Sequence, residues 1–164
     1  MSPTDALVAE LDQEFASTRS VLQAVPADRL SYRPHDKSFP LGDLCLHVAN
    51  TVGWGATTLQ TEELDTATFV MPQSPKTPDD FLSLFEENTK AFREALSTSS
   101  PEALMVPWTL RTGDQAHFTL PRAAVLRTFV LNHLYHHRGQ LTVYLRLIDV
   151  PVPGVYGPSA DDAA

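Results

Sequence analysis

The segment Asn132-His133-Leu134-Tyr135-His136-His137-Arg138-Gly139-Gln140 gathers half of the chain's six histidines into five residues. On an α-helix each residue advances about 100°, so His133 and His137 point the same way, one turn apart. Two imidazoles at i and i+4 can converge on one metal ion, the arrangement used by helical zinc sites. Leu126, Val130, Leu141 and Tyr144 fall near the same direction, so the pair is expected on the core side. Buried imidazoles need polar partners, because an unpaired buried polar group costs about 1–3 kcal/mol. A metal satisfies both rings at once; the alternative is a carboxylate or carbonyl on a neighbouring helix for each.

A third donor is sought elsewhere. His47 lies in Gly42-Asp43-Leu44-Cys45-Leu46-His47-Val48-Ala49-Asn50 and shares a helical face with Leu44, Asn50, Thr51 and Trp54. His35, in the proline-containing connection, and His117, in the hairpin, are expected to be exposed, although His117 could overhang a site. His136 is about 60° from His133 and is a weaker ligand candidate. Cys45 is two residues from His47, about 200° around a helix, so it points away and reads as a small core residue. Gln140, about 20° from His133, can orient a ligand or a water, or pack against a facing helix. Arg138 can hold an anion, but a solvated or dimer-interface arginine is the expectation. Trp54 and Trp108 can wall a pocket or fill the core. No Ser-His-Asp order, Gly-rich phosphate loop or carboxylate pair is legible. Three imidazoles would leave coordination positions for water or substrate, as catalytic sites do. Imidazole donors alone do not choose the metal; zinc or nickel is expected first, with iron or manganese as alternatives.

The elements that must position these residues are punctuated by proline. Ser2-Pro3, Phe39-Pro40, Thr77-Pro78 and Leu120-Pro121 each precede a run with helical spacing, and proline is tolerated in a helix's first turn. Helices are expected over Thr4–Ala24, Pro40–Thr61, Pro78–Ser97 and Pro121–Ile148. The first carries Leu7, Leu11, Phe15 and Leu22 near one face; the third carries Phe81, Leu84, Phe85, Phe92 and Leu96. Val106–Leu110 and Ala116–Leu120 flank a Gly113-Asp114 turn signal and predict a small β-hairpin between helices three and four. The fold class is therefore all-α, a four-helix bundle with that hairpin inserted. Residues 1–150 form the bundle domain and 151–164 an extended tail with frayed acidic residues at its end.

Composition narrows the function. Of 164 residues 43% are hydrophobic, as in a globular domain. The net charge of −8 and scattered basic residues argue against a nucleic-acid partner, which requires a cationic patch. No apolar run approaches the roughly 18–20 residues that span a bilayer, and the acidic start carries no secretory signal. Cys45, the single cysteine, suits a reducing compartment, so a cytoplasmic location is expected.

The chain resembles the DinB/YfiT-like family of metal-dependent enzymes. The resemblance rests on His133-x-x-His136-His137-Arg138-Gly139-Gln140-Leu141, followed by Tyr144-Leu145-Arg146. Leu46-His47-Val48 upstream supports it, as do Val150-Pro151-Val152-Pro153 and Tyr156-Gly157-Pro158-Ser159. It implies up-down-down-up connectivity and a metal triad of His47, His133 and His137. Some relatives of this fold use the metal to activate a low-molecular-weight thiol for transfer or isomerisation. The function expected is thus a metal-dependent transferase acting with such a thiol on a small molecule, or a hydrolase. The rival is a non-enzymatic bundle stapled by metal, with a structural or ligand-sensing role. Relatives are often dimers, and with the long apolar last helix this implies a homodimer.

Overall fold

The computed structural model describes residues 3–70 and 73–162. Four long helical segments and a small three-stranded sheet surround one continuous core. The first helix, α1 (Pro3–Gln23), begins with Pro3 and an acidic first turn and buries Leu11, Phe15 and Leu22. The third, α3 (Pro78–Ser97), starts where the Asp80 carboxylate accepts the Lys76 and Thr77 backbone N–H groups at 2.7 and 2.9 Å. These are donors that a helix start otherwise leaves unpaired. Phe81, Phe85, Phe92 and Leu96 of α3 are fully buried, and Phe15 meets Phe85 edge-on at 6.0 Å.

Between them, α2 (Leu41–Gln60) is the most buried helix and packs against α3 and the last helix. Its approach to α3 depends on Gly55, where a Cβ would come within 2.4 Å of the Phe92 ring carbons. The connection before α2 satisfies its first N–H groups: Leu41 N donates to Tyr32 O and Gly42 N to Leu30 O, each at 2.9 Å. Tyr32 then packs edge-on against Tyr144.

The expected hairpin forms, as β2 (Pro107–Thr112) and β3 (Gln115–Pro121), with Gly113 at φ 55° in the turn. The all-α expectation is corrected by a third strand. Residues Glu63–Asp65 form β1, which runs parallel to β2 with Leu64 opposite Leu110. Three residues with two acids carry no strand periodicity; their partner is Arg111, which binds Glu63 at 2.7 Å and Asp65 at 2.5 Å. The sheet docks on the end of α2 through Thr61, whose hydroxyl accepts from Trp108 Nε1 at 3.1 Å. Trp108 is thereby a core residue, 1% exposed.

The single α-helix expected from Pro121 to Ile148 is also corrected. It is built as α4 (Arg122–Val125), a π-helical stretch Leu126–Leu131, and α5 (Asn132–Leu147). Thr128, Phe129 and Val130 are weak helix formers, and Phe129 is held by stacking on Phe118 of β3 at 4.4 Å. A π turn is wider than an α turn and is common beside functional residues; here it ends at Leu131, two residues before His133.

The tail is not frayed through Asp162. Val152 enters the core, Arg146 binds Asp161 at 2.5 Å, and Asp161 accepts the Val152 N–H at 2.9 Å. Ala163 and Ala164 lie outside the described residues. Among those described, no helix is long and apolar enough to cross a membrane.

Candidate metal centre

His47 projects from the middle of α2, and His133 and His137 from the first two turns of α5. The three rings meet: His47 and His133 centroids are 5.0 Å apart, and His137 is 4.6 Å from each. His47 Nε2 and His133 Nε2 are 3.2 Å apart. Each ring offers one nitrogen within 4.8 Å of the others, and no Asp, Glu or Cys of the described residues joins them.

The donor set fits a metal. In a tetrahedral site with metal–nitrogen distances of about 2.0–2.1 Å, ligand atoms lie roughly 3.3 Å apart, close to the His47–His133 separation. A ligating imidazole needs its other nitrogen held, and Gln140 does this for His137, with Oε1 at 2.7 Å from Nδ1. His133 is held by a hydrogen bond to the Phe129 backbone, within the π-helical stretch. Phe39, from the connection before α2, stacks on His47 at 5.8 Å and 20°.

Electrostatics favour neutral rings, the form that ligates. Burial pushes the His47 pKa down to about 4, and His137 and His133 reinforce the shift. His133 is lowered by burial and by His136, against the Phe129 hydrogen bond. His137 is lowered by burial, then by His133 and His136, while Gln140 opposes.

A cavity of about 360 Å³ opens beside the cluster. His47, Asn50, Thr51 and Trp54 form one wall, spaced i, i+3, i+4 and i+7 along α2, with His133 adjoining. Thr66 and Phe69 form the other, in the loop after β1. That loop is fixed by the sheet: Asp65 accepts from Ala67 N and Gly113 N, both at 2.9 Å, and Thr66 Oγ1 donates to Arg111 O at 3.2 Å. Sequence reasoning found the α2 wall and missed Phe39, Thr66 and Phe69, because no periodic pattern links them to the histidines.

The other candidates fall elsewhere. His35 and His117 are exposed, each in a local contact, with Lys37 N and Thr112 Oγ1 respectively. His136 is exposed, its ring 4.8 Å from that of His137. Cys45 is fully buried, and burial pushes its thiol pKa up, so it stays a protonated core residue. Arg138 corrects its expectation: it is 2% exposed and binds Glu14 of α1 at 2.7 Å. Tyr156 of the tail completes that cluster, hydrogen-bonding both Arg138 and Glu14.

A mostly helical chain with a small sheet and a three-histidine cluster between two helices is the architecture of a recognisable group. The DinB family model matches residues 1–164, and the chain belongs to that family. It is 25% identical to the uncharacterised protein YrdA of Bacillus subtilis (strain 168), over 98% of this chain and 92% of that protein. A DinB-like protein from Bacillus cereus ATCC 10987 has a similar structure, with TM-score 0.71, 26% identity, and coverage of 93% and 97% of the two chains. A second, YjoA of Bacillus subtilis, also gives 0.71 at 19% identity, covering 89% and 96%, and is similar in fold.

Proposed function

We propose that the protein is a metal-dependent enzyme in which His47, His133 and His137 hold one divalent ion, zinc or nickel before iron or manganese. The reading rests on one observation: His47 and His133 belong both to the histidine cluster and to the wall of the cavity. An ion held by these rings would therefore lie beside space that a small molecule can enter. When bound, such an ion supplies Lewis acidity, making a water or thiol that reaches it a nucleophile at neutral pH.

The chain's own residues do the rest. Gln140 fixes the His137 ring so that Nε2 is the free donor. Trp54 and Phe69 displace water from the space beside His47 and His133. Transfer involving a low-molecular-weight thiol is the favoured reaction, from the family resemblance, with hydrolysis second. The buried, protonated Cys45 offers no competing nucleophile, and the cytoplasm is the compartment we assign.

Metal analysis of purified protein tests the first half of the proposal: about one ion per chain is expected. His47→Ala, His133→Ala and His137→Ala should each lower occupancy sharply, and His35→Ala should not. Full retention in His47→Ala removes the triad. Cobalt substitution tests the second half. A small thiol should produce a thiolate-to-cobalt charge-transfer band that is absent in His137→Ala. A spectrum indifferent to azide and to thiols would mean a closed centre, and the metal would then be a structural staple.

A further inference from the structure

The three imidazoles of the cluster are not held alike. His137 has Gln140 Oε1 at 2.7 Å from its Nδ1, and His133 is bonded to the Phe129 backbone. His47 turns Nε2 to His133, at 3.2 Å, and its Nδ1 has no hydrogen-bond partner among the described residues. An imidazole without such a partner can turn about its broad χ2 and lose its ligating direction. What lies against His47 from outside the cluster is the Phe39 ring, stacked at 5.8 Å and 20°. Phe39 is not among the residues that line the cavity, so it acts on His47 and not on a guest there.

Phe39 is 51% exposed, a poor position for a large apolar ring, yet its backbone is fixed. Pro40 follows it, and a residue before proline is confined to extended conformations. Its carbonyl accepts from the Tyr144 hydroxyl at 3.1 Å. Tyr144 is buried and stands edge-on to Tyr32 at 6.3 Å. It belongs to α5, the helix that carries His133 and His137. A chain of contacts thus runs from α5 through Tyr144 and Phe39 to the His47 ring on α2.

The charge of an ion strengthens the last of these contacts. Offset rings at this separation attract one another beyond the area they bury. An imidazole that ligates a divalent ion carries part of its charge, and an aromatic face attracts a cation. An aliphatic side chain of similar size would supply burial alone.

On the metal reading above, we infer that Phe39 is the positioning residue of His47. Its ring, anchored by Tyr144, orients the one ligand that no hydrogen bond orients, and it acts on metal affinity through that ligand.

Chelator competition measures zinc affinity, and the visible spectrum of cobalt-loaded protein reports ligand geometry. Phe39→Leu keeps apolar bulk and removes the ring; it should weaken zinc about threefold to tenfold and change the cobalt spectrum. Phe39→Tyr, which restores an aromatic face, should match the parent in both. Tyr144→Phe keeps the ring beside Tyr32 and removes only the donor to Phe39. It should shift both readouts in the same direction by less, and add little on top of Phe39→Leu, because the two act through one chain of contacts. Urea melts of the metal-free proteins separate this from general damage, since a purely structural loss would lower stability and leave the cobalt spectrum unchanged. In the parent, where no variant has to fold, NOE cross-peaks between the Phe39 and His47 rings should persist on zinc loading. Three outcomes would each overturn the inference and leave the metal reading intact: loss of those cross-peaks on loading, a Phe39→Leu protein equal to the parent in affinity and spectrum, or a Phe39→Tyr protein as weak as Phe39→Leu. A parent that binds neither zinc nor cobalt removes the metal reading, and the positioning role with it.

Discussion

His137 Nδ1 lies 2.7 Å from Gln140 Oε1, so the amide oxygen of Gln140 accepts the Nδ1 proton and selects the tautomer that leaves His137 Nε2 unprotonated. The contact spans three residues of one helix, which makes it insensitive to how the rest of the chain packs.

Loss of that contact should weaken metal binding without removing it. Partners behind metal-ligating histidines are worth about 10–100-fold in affinity, so Gln140→Leu should fall in that range. Gln140→Glu should bind at least as tightly as the parent, because a carboxylate accepts the same N–H. Chelator competition measures this, and equal affinity in the parent and Gln140→Leu would deny Gln140 its role.

Acid should destabilise the metal-free protein before its carboxylates titrate. Burial holds His47 near 4 in the folded chain, whereas an unfolded histidine has a pKa of about 6.5. Between these values the unfolded chain takes up a proton that the folded chain refuses. Stability is therefore complete above about pH 6.5 and declines as pH falls toward 4. Urea melts across this window should show the decline, and His47→Gln should flatten it. Equal slopes in the two proteins would contradict the assignment.

The Glu14–Arg138 pair should be the most sensitive polar contact outside the histidine cluster. Both side chains are nearly inaccessible, at 9% and 2% exposure. Removing one member of a buried pair strands the other charge, at a cost of about 3–5 kcal/mol. Glu14→Ala should reach that range in denaturant unfolding, whereas Tyr156→Phe, which keeps the pair, should cost about 1 kcal/mol. A Glu14→Ala loss below that of Tyr156→Phe would show that Arg138 finds another partner.

Assembly gives a further expectation. Val143 and Leu147, one turn apart on α5, are both more than half exposed, and we propose that they contribute to a homodimer interface. Sedimentation should show a species of twice 18.1 kDa, and Val143→Glu should dissociate it. A monomer at every accessible concentration would remove the proposal.

Local geometry alone put His133 and His137 on one face, placed His47 with Asn50, Thr51 and Trp54, and turned Cys45 away. Each of these follows from the 3.6-residue helical period, which the backbone imposes wherever a helix forms. The proline starts and the Gly113 turn are equally local. What brings His47 to His133, across 86 residues, is the packing of α2 against the last helix. The same holds for Glu63–Asp65, recruited as a strand by Arg111, and for Arg138, which reads as a surface cation until α1 supplies Glu14. The π-helical turn before His133 belongs with them, since Phe118 from β3 stacks on Phe129 within it. In each case the deciding partner is distant in sequence and adjacent only after folding, so no periodicity near the residue itself encodes it.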